Sequence, residues 1–215
     1  MTSLISSLLN RLRSHWQFKC LLMAILPTST TAAYLITQRV ILSPAWKPPT
    51  TWLDRAIPFQ PNCVWAYLSL YLLMPIAPLL TRSREDLLRY AKGLVLYFGV
   101  GLICFVLFPV AAPRPTIVES RSAYEALIRI DRPYNCIPSL HAACAVYAVM
   151  YAAHASRDTA RRVLRMWLLA LGWIWVMLIL YSTIATRQHF AVDLPPGILL
   201  GVVAFWLMKF SRRHR

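Results

Sequence analysis

Residues 166–211 read MWLLALGWIWVMLILYSTIATRQHFAVDLPPGILLGVVAFWLMKFS, two apolar runs on either side of a short polar string. Each run, 166–185 and 194–211, has about the length that an α-helix needs to cross the hydrocarbon core of a bilayer. The string between them holds Arg187, His189 and Asp193. Ionisable side chains beside membrane spans are costly, so they indicate a functional site.

The rest of the chain follows the same pattern. Four more apolar runs, near 20–42, 60–80, 91–112 and 138–154, bring the number of predicted spans to six. Of the 215 residues, 58% are hydrophobic and only 14% are charged, which excludes an ordinary soluble domain. We therefore expect an all-α integral membrane protein with one six-helix domain over residues 1–215. An even number of spans places both termini on the same side.

The positively charged side chains predict the orientation of these spans. Fifteen Lys and Arg fall in the two tails, the second loop and the fourth loop, and eight fall around the first, third and fifth loops. Loops rich in Lys and Arg stay in the cytoplasm, so both termini are predicted to be cytoplasmic and the fifth loop to face outward. The fifteen are Arg11, Arg13, Lys19, Arg82, Arg84, Arg89, Lys92, Arg157, Arg161, Arg162, Arg165, Lys209, Arg212, Arg213 and Arg215. The eight are Arg39, Lys47, Arg55, Arg114, Arg121, Arg129, Arg132 and Arg187.

The net charge of +15 is thereby explained by topology and by contact with anionic lipids. Nucleic acid is not a predicted partner; the lipid bilayer and a membrane lipid are. We expect a multi-pass protein of the plasma (inner) membrane. Within the third loop, Arg121, Arg129 and Arg132 are interpreted as solvated loop charges, with contact to a lipid headgroup as the alternative.

Three polar strings fall together on the predicted outer face. Ala112-Pro113-Arg114-Pro115 ends the third run, Pro138-Ser139-Leu140-His141 begins the fourth, and the string 186–193 separates the last two. Together they supply a nucleophile, an acid, an orienting carboxylate and cations that bind anions. This combination indicates phosphoryl chemistry on a lipid.

His189 is the candidate nucleophile. Asp193 follows it by four residues, a spacing that puts both side chains on one helical face if the sixth helix begins early enough. The carboxylate then accepts a hydrogen bond from one ring nitrogen and leaves a lone pair on the other, and histidine forms covalent intermediates. Leu194-Pro195-Pro196 disfavours an early start, so this geometry depends on a kinked or late-starting helix.

His141 is the candidate acid, predicted one turn into the fourth helix because Pro138 suits a first helical position. Backbone N–H groups around Ser139 and Leu140 then point outward and bind an anion. Arg114 and Arg187 supply forked donors for the oxygens of a phosphoryl group.

A metal site is an alternative use of the same side chains, since His141, His189 and Asp193 are acceptable ligands. Two neighbouring arginines favour an anion over a cation, so no metal and no cofactor is predicted, and EDTA is expected to leave activity unchanged. The five cysteines show no metal-binding spacing. Cys63 and Cys136 both fall near the outer face and are a candidate disulfide pair.

These strings resemble the motifs of the type 2 phosphatidic acid phosphatase (PAP2) superfamily: Arg-Pro, then Pro-Ser-Gly-His, then Ser-Arg, five residues, His, three residues and Asp. The resemblance covers roughly residues 108–201. It implies that His189 is the nucleophile, that Asp193 orients it and that His141 is the general acid. It also implies that Arg114 and Ser139 bind phosphate.

The chain departs from this family pattern at three positions. Leu107 replaces a lysine seven residues before the first arginine, Leu140 replaces the glycine of the second motif, and Ser182-Thr183 replaces Ser-Arg. Arg187 is the candidate substitute for the missing arginine. With Pro113-Arg114-Pro115 upstream, the pattern looks nearer to the inositol phosphorylceramide synthase branch than to typical lipid phosphatases.

Three functions remain open at this point. The first is a lipid phosphate or diphosphate phosphatase, or, if an alcohol replaces water, a phospholipid or sphingolipid headgroup phosphotransferase of the inositol phosphorylceramide synthase type. A catalytically silent lipid-binding scaffold is supported by the lost lysine and the displaced arginine. A small transporter is disfavoured because the polar residues cluster at one face. The lipid, the acceptor and the oligomeric state are left open.

Overall fold

The computed structural model describes residues 2–40, 42–115, 123–158 and 162–211. Arg121, Arg161, Arg212, Arg213 and Arg215, which entered the charge analysis, lie outside the described residues. Within those ranges the chain is helical, and β-structure is limited to isolated bridges of Val110 with Trp46 and with Asn135. The α-helices are α1 (Thr2–Arg13), α2 (Trp16–Thr37), α3 (Trp52–Ala56), α4 (Val64–Leu68), α5 (Leu70–Leu73), α6 (Ile76–Leu80), α7 (Arg84–Leu107), α8 (Ala123–Ile130), α9 (Leu140–Ala155), α10 (Arg162–Ala185) and α11 (Leu194–Phe210).

Five helical stretches among the described residues are long and apolar enough to cross a membrane. They are Trp16–Thr37, Pro61–Leu80, Arg84–Leu107, Arg162–Ala185 and Ala191–Phe210, and each overlaps a predicted run. The remaining run is α9, whose 16 residues extend only about 24 Å, less than a bilayer core. The chain is therefore an all-helical membrane protein with five candidate spans, and a sixth stays a prediction.

The second span is broken into short pieces. A 3₁₀ turn at Pro61–Cys63 is followed by α4, α5 and α6, with interruptions at Ser69 and at Met74-Pro75. Proline lacks the N–H that continues a helix, which accounts for the second break. The indole of Trp175 on α10 donates to Ser69 Oγ at 2.8 Å, so the first break is tied to a neighbouring helix.

Helix α9 lies at the centre of the bundle, in contact with α5, α6, α7, α10 and α11. Four of its buried residues are alanine, at positions 142, 143, 145 and 148, which lets neighbouring helices approach closely. A Cβ atom at Gly197 would lie 2.3 Å from the Ser139 carbonyl oxygen, and one at Gly201 would lie 2.5 Å from that of Ala143. Only glycine permits this contact, as in other small-residue helix interfaces in membranes. It holds the start of α11 against the start of α9.

The loops at that end of the bundle are joined by backbone hydrogen bonds. Trp46 donates to the Pro109 carbonyl at 2.9 Å, Ala111 donates to that of Trp46 at 2.9 Å, and Ala112 donates to that of Pro133 at 2.8 Å. These bonds bring the first loop, the residues before Arg114 and the residues before α9 into one layer.

Candidate active site

His189 and Asp193 are paired in a buried turn. His189 Nδ1 lies 3.2 Å from Asp193 Oδ2, and the same oxygen accepts the Phe190 N–H at 2.8 Å. His189 is 5% exposed and Asp193 is fully buried. The pair is not formed along a helix: residues Ala191–Asp193 make a 3₁₀ turn, and α11 begins only at Leu194. The late start of the helix, which its two prolines favour, lets the carboxylate fold back onto the ring.

His141 lies close to this pair. Its ring centroid is 6.2 Å from that of His189, and the ring stacks on Tyr67 with centroids 3.8 Å apart. The Nε2 atom of His141 is buried and has no hydrogen-bond partner among the described residues. Two histidines from separate elements are therefore close enough for both to contact one phosphoryl group.

The start of α9 differs from the sequence prediction. Ser139, not Pro138, begins the helix: its side chain accepts the Ala142 N–H at 3.3 Å as the N-cap, and Leu140 is the first helical residue. His141 is thus the second helical residue rather than one turn in. The Ser139 N–H donates to the Asp193 carbonyl at 3.1 Å. This bond ties the second polar string directly to the third.

Arg114 reaches the same region from the third loop. Its guanidinium pairs with the Asp131 carboxylate at 2.8 Å and also donates to the Gln188 side-chain carbonyl, one residue before His189. Arg114 Nε is buried and has no hydrogen-bond partner within the described ranges. The structure therefore brings His189, Asp193, His141, Ser139 and Arg114 into one cluster.

The family model of the PAP2 superfamily matches residues 38–207 of this chain. That segment is more than half of the sequence and contains every residue of the cluster. The chain belongs to the PAP2 superfamily. Membership indicates a phosphatase or phosphotransferase type of function in an integral, multi-pass membrane protein. No curated protein matches the chain.

Arg187, the candidate for the arginine missing from the PAP2 pattern, is engaged elsewhere. It has a φ of 54°, in the left-handed region, at the turn that ends α10. Its N–H donates to the Ile184 carbonyl at 2.9 Å, and the Gln188 N–H donates to that of Thr183 at 3.0 Å. This is a Schellman turn with arginine where glycine is usual. A contact of Arg187 with phosphate stays a prediction.

Asp54, which sequence reasoning missed, anchors the turn that carries His189. Arg187 donates to the carbonyls of Asp54 and Ile57, at 2.7 and 3.0 Å. Asp54 Oδ1 accepts the Ala191 N–H at 2.8 Å, while Oδ2 accepts the N–H of Thr51, the N-cap residue of α3, at 2.7 Å. A short helix of the first loop therefore holds both sides of the His189 turn.

Asp131 is the second residue that sequence reasoning missed. It is 7% exposed and accepts hydrogen bonds from Tyr34 (3.0 Å), Gln38 and Arg114. The first two side chains belong to the end of α2 and the residue after it. Because these residues lie more than 90 positions from Asp131, no local spacing reveals the link. Through this network, side chains at the end of the first span help to fix the position of Arg114.

The side chains that are placed to bind a metal ion differ from the ligands that the sequence suggested. Ligand atoms of Cys136, His189 and Asp193 lie within 4.8 Å of one another. Burial and the nearby Asp193 carboxylate raise the pKa of the Cys136 thiol well above its usual value, so the thiol is protonated in the absence of an ion. Cys63 and Cys136 are both free thiols, so the candidate disulfide is not formed.

Several polar atoms around the two histidines are buried without partners among the described residues. They are His141 Nε2, Asp193 Oδ1, Arg114 Nε and Gln188 Nε2. Buried polar groups are nearly always hydrogen-bonded, so a cluster of unsatisfied ones indicates a place for a polar ligand or water. A phosphoryl group, with its acceptor oxygens, suits the donors in this cluster.

Proposed function

We propose that this protein is a lipid phosphate or diphosphate phosphatase that acts through a histidine nucleophile at the outer face of the membrane. The observation that carries the proposal is the buried His189–Asp193 pair, 3.2 Å apart, beside the ring of His141. A carboxylate that accepts from one ring nitrogen fixes the tautomer and leaves the other nitrogen as a nucleophile.

In the first step, His189 Nε2 attacks phosphorus. An N–P bond forms while the P–O bond to the lipid breaks, and the leaving oxygen takes a proton from His141. Asp193 stabilises the positive charge that develops on the His189 ring. Arg114 and the N–H groups at the start of α9 stabilise the charge on the phosphoryl oxygens. Substrate phosphate beside His141 favours the protonated form that this step needs.

In the second step, water attacks the phosphohistidine. The water gives a proton to His141, the N–P bond breaks, and phosphate leaves with both histidines restored. If an alcohol of a second lipid or headgroup takes the place of water, the same step makes a phosphate monoester of that alcohol. It makes a phosphodiester only where the group carried on His189 already holds one ester. The choice between hydrolysis and transfer therefore depends on which acceptor reaches the intermediate.

An apolar groove supports a lipid as the substrate. A cavity of about 70 Å³ beside His141 is lined by Tyr34, Phe98 and Leu140. It shares Pro27, Tyr71 and Met74 with a second cavity of about 220 Å³ between α2, α5, α6 and α7. An acyl or polyprenyl chain lying in this groove has its phosphate end at His141.

The test is phosphate release by the detergent-purified protein from phosphatidate, phosphatidylglycerol phosphate and polyprenyl diphosphate. His189→Ala is compared with His154→Ala, a matched control at the far end of α9. We expect release by the wild type and His154→Ala and a loss of at least about 10³-fold in His189→Ala. Equal release by both variants would contradict the proposal.

If the folded wild type releases no phosphate, the same lipids are offered with a radiolabelled alcohol acceptor. A labelled phosphate ester of that alcohol, formed only when His189 is present, assigns a phosphotransferase. Neither release nor transfer assigns the silent scaffold, and the catalytic proposal fails.

A further inference from the structure

A third cavity lies toward the opposite end of α9 from the two histidines. It has a volume of about 370 Å³ and is bordered by α1, α6, the C-terminal half of α9 and the N-terminal half of α10. The residues of α9 and its C-cap that line this cavity are Val149, Ala152 and Ser156, nine or more positions after Leu140, so its nearest wall lies about 14 Å along the helix from the active-site end. The cavity is distinct from the phosphoryl-transfer site.

Arg11 is the most unusual residue of this cavity. It is only 2% exposed, and its Nη1 donates to the carbonyls of Ala155 at 2.6 Å and Leu80 at 3.2 Å. Its Nη2 is buried with no hydrogen-bond partner among the described residues. Burial and the nearby Arg82 lower the pKa of Arg11, which reflects the cost of a buried cation.

Two further cations surround the same end of α9. Arg165 donates through Nη2 to the Ala153 carbonyl at 3.2 Å, and its Nε is buried without a partner in the described ranges. Lys19 is 1% exposed and donates to the Arg11 and Leu79 carbonyls. Among the described residues, none of these three cations forms an ion pair with a carboxylate. The nearby Asp158 is paired with Arg157, with Arg157 Nε 3.7 Å from Asp158 Oδ1. Asp158 is near enough to oppose the lowering of the Arg11 pKa, but it forms an ion pair with none of the three cations, so positive charge is in excess here.

The remainder of the cavity wall is apolar. Leu73 and Ile76 of the broken span, Val149 of α9, and Leu168, Gly172 and Trp175 of α10 line it. Leu168 and Leu171 are each 58% exposed on the bundle surface, where a membrane helix meets lipid. Unsatisfied guanidinium donors at one end and a hydrocarbon-like wall at the other match the two parts of a phospholipid.

We propose that this cavity binds an anionic phospholipid that is not the substrate. The phosphate lies between Arg11 Nη2 and Arg165 Nε, and one acyl chain lies along α10 toward Trp175. Under the predicted topology this lipid belongs to the cytoplasmic leaflet, where anionic lipids attract Lys and Arg near the membrane surface. The lipid fills the space between α9 and α10 and stabilises the packing of these two helices. Because α9 carries His141 at its other end, this packing also helps to hold the active site.

The experiment measures lipid retained by the purified full-length protein with native mass spectrometry. Mixed micelles contain equal amounts of dioleoylphosphatidylglycerol and dioleoylphosphatidylcholine. Arg165→Gln removes the donor, with Arg162→Gln, an exposed arginine one turn away, as the matched control. Gly172→Leu adds a side chain at the α10 wall and so fills part of the cavity, where a Cβ atom meets only Val149, at 3.5 Å. Gly99→Leu is the control, because a Cβ atom at that position meets nothing within 4 Å.

We expect wild type, Arg162→Gln and Gly99→Leu to retain one phosphatidylglycerol in preference to phosphatidylcholine. Arg165→Gln weakens this retention about tenfold, the effect of losing one hydrogen bond to a charged group. Gly172→Leu weakens it at least as much while circular dichroism stays unchanged. Equal retention by Arg165→Gln and Arg162→Gln would overturn the proposal.

Two further measurements distinguish a phospholipid from inorganic phosphate as the ligand, and this cavity from the candidate active site. Inorganic phosphate is added in place of phosphatidylglycerol in a thermal-shift measurement, and we expect only the lipid to raise the melting temperature. Equal stabilisation by inorganic phosphate would overturn the acyl-chain part of the proposal. His189→Ala retains the lipid as the wild type does, so failure of the catalytic mechanism leaves this result unaffected, and loss of the lipid in that variant would contradict a separate site.

Discussion

Asp193 is buried and holds one His189 ring nitrogen at 3.2 Å, while its own second oxygen, Oδ1, lacks a partner among the described residues. A buried carboxylate with an unpaired oxygen costs free energy of folding unless it stabilises the positive charge that develops on the His189 ring. The importance of the residue therefore lies in charge and tautomer more than in packing.

The first prediction concerns that charge. Asp193→Asn keeps the size of the side chain but removes its negative charge. The amide no longer fixes the ring tautomer in which His189 Nε2 is the nucleophile. We expect phosphate release to fall by about 10²–10⁴-fold, mostly in kcat, with little change in melting temperature. Asp158→Asn is the surface control, and steady-state kinetics of both variants is the measurement. A kcat within threefold of wild type in Asp193→Asn would refute this role.

A second prediction concerns backbone strain at Arg187. Its φ of 54° costs about 1 kcal/mol for any residue except glycine. Arg187→Gly and Arg187→Ala both lose the bonds to the Asp54 and Ile57 carbonyls, but only the glycine relieves the strain. The glycine variant is expected to be more stable than the alanine variant by about 1 kcal/mol in thermal unfolding. The reverse order would show that the turn adopts another conformation.

At the scale of whole elements, the site depends on the seam between α11 and α9. Gly197 and Gly201 bring the helices close, and the Ser139 N–H bonds to the Asp193 carbonyl across this seam at 3.1 Å. The seam therefore sets the distance between the two histidines. A shift of α11 by less than 1 Å is enough to misplace reacting groups.

The third prediction tests this seam. Gly197→Ala places a Cβ atom 2.3 Å from the Ser139 carbonyl oxygen, a backbone atom that cannot rotate away. We expect a loss of about 1–3 kcal/mol of stability and at least a tenfold loss of turnover. Gly99→Ala adds the same methyl group in α7, where nothing lies within 4 Å, and is expected to be neutral. Equal effects of the two substitutions on turnover would contradict the proposed role of the seam.

For the whole molecule, the sequence predicted much of what hydropathy and motif order control. Five predicted runs became candidate spans, and the strings around Arg114, His141 and His189 came together. The Gly197-x-x-x-Gly201 spacing was also visible in the sequence and would have indicated close helix packing. Asp54 and Asp131 were not predictable as site residues, because the contacts that link them to distant elements, with Ala191 and with Tyr34, span 137 and 97 positions and depend on the assembled loops.

The fourth prediction concerns metal dependence of the whole enzyme. Arginine and backbone donors supply the positive charge at the site, and the Cys136 thiol stays protonated at neutral pH because burial raises its pKa. EDTA treatment followed by gel filtration is expected to leave phosphate release unchanged. Loss of activity that returns when one divalent metal is added would show that Cys136, His189 and Asp193 hold an ion instead.

The fifth prediction concerns orientation, for which fifteen of the 23 Lys and Arg favour one side. Trp46→Cys in the first loop and Ser83→Cys before α7, each made in a parent in which Cys20 and Cys63 are replaced by serine, are exposed to a membrane-impermeant thiol reagent in intact cells. We expect labelling of the first loop only, with labelling of Ser83→Cys after the cells are broken. The opposite pattern would place the active site in the cytoplasm.

The most direct test of the central claim is chemical trapping of the intermediate. The protein is mixed with radiolabelled lipid phosphate, quenched in alkali within one turnover, digested and analysed by mass spectrometry. The account predicts a base-stable, acid-labile phosphoryl group on the peptide that contains His189, and its absence in His189→Ala but not in His154→Ala. A phosphoryl group on another residue, or turnover that persists in His189→Ala, would contradict it.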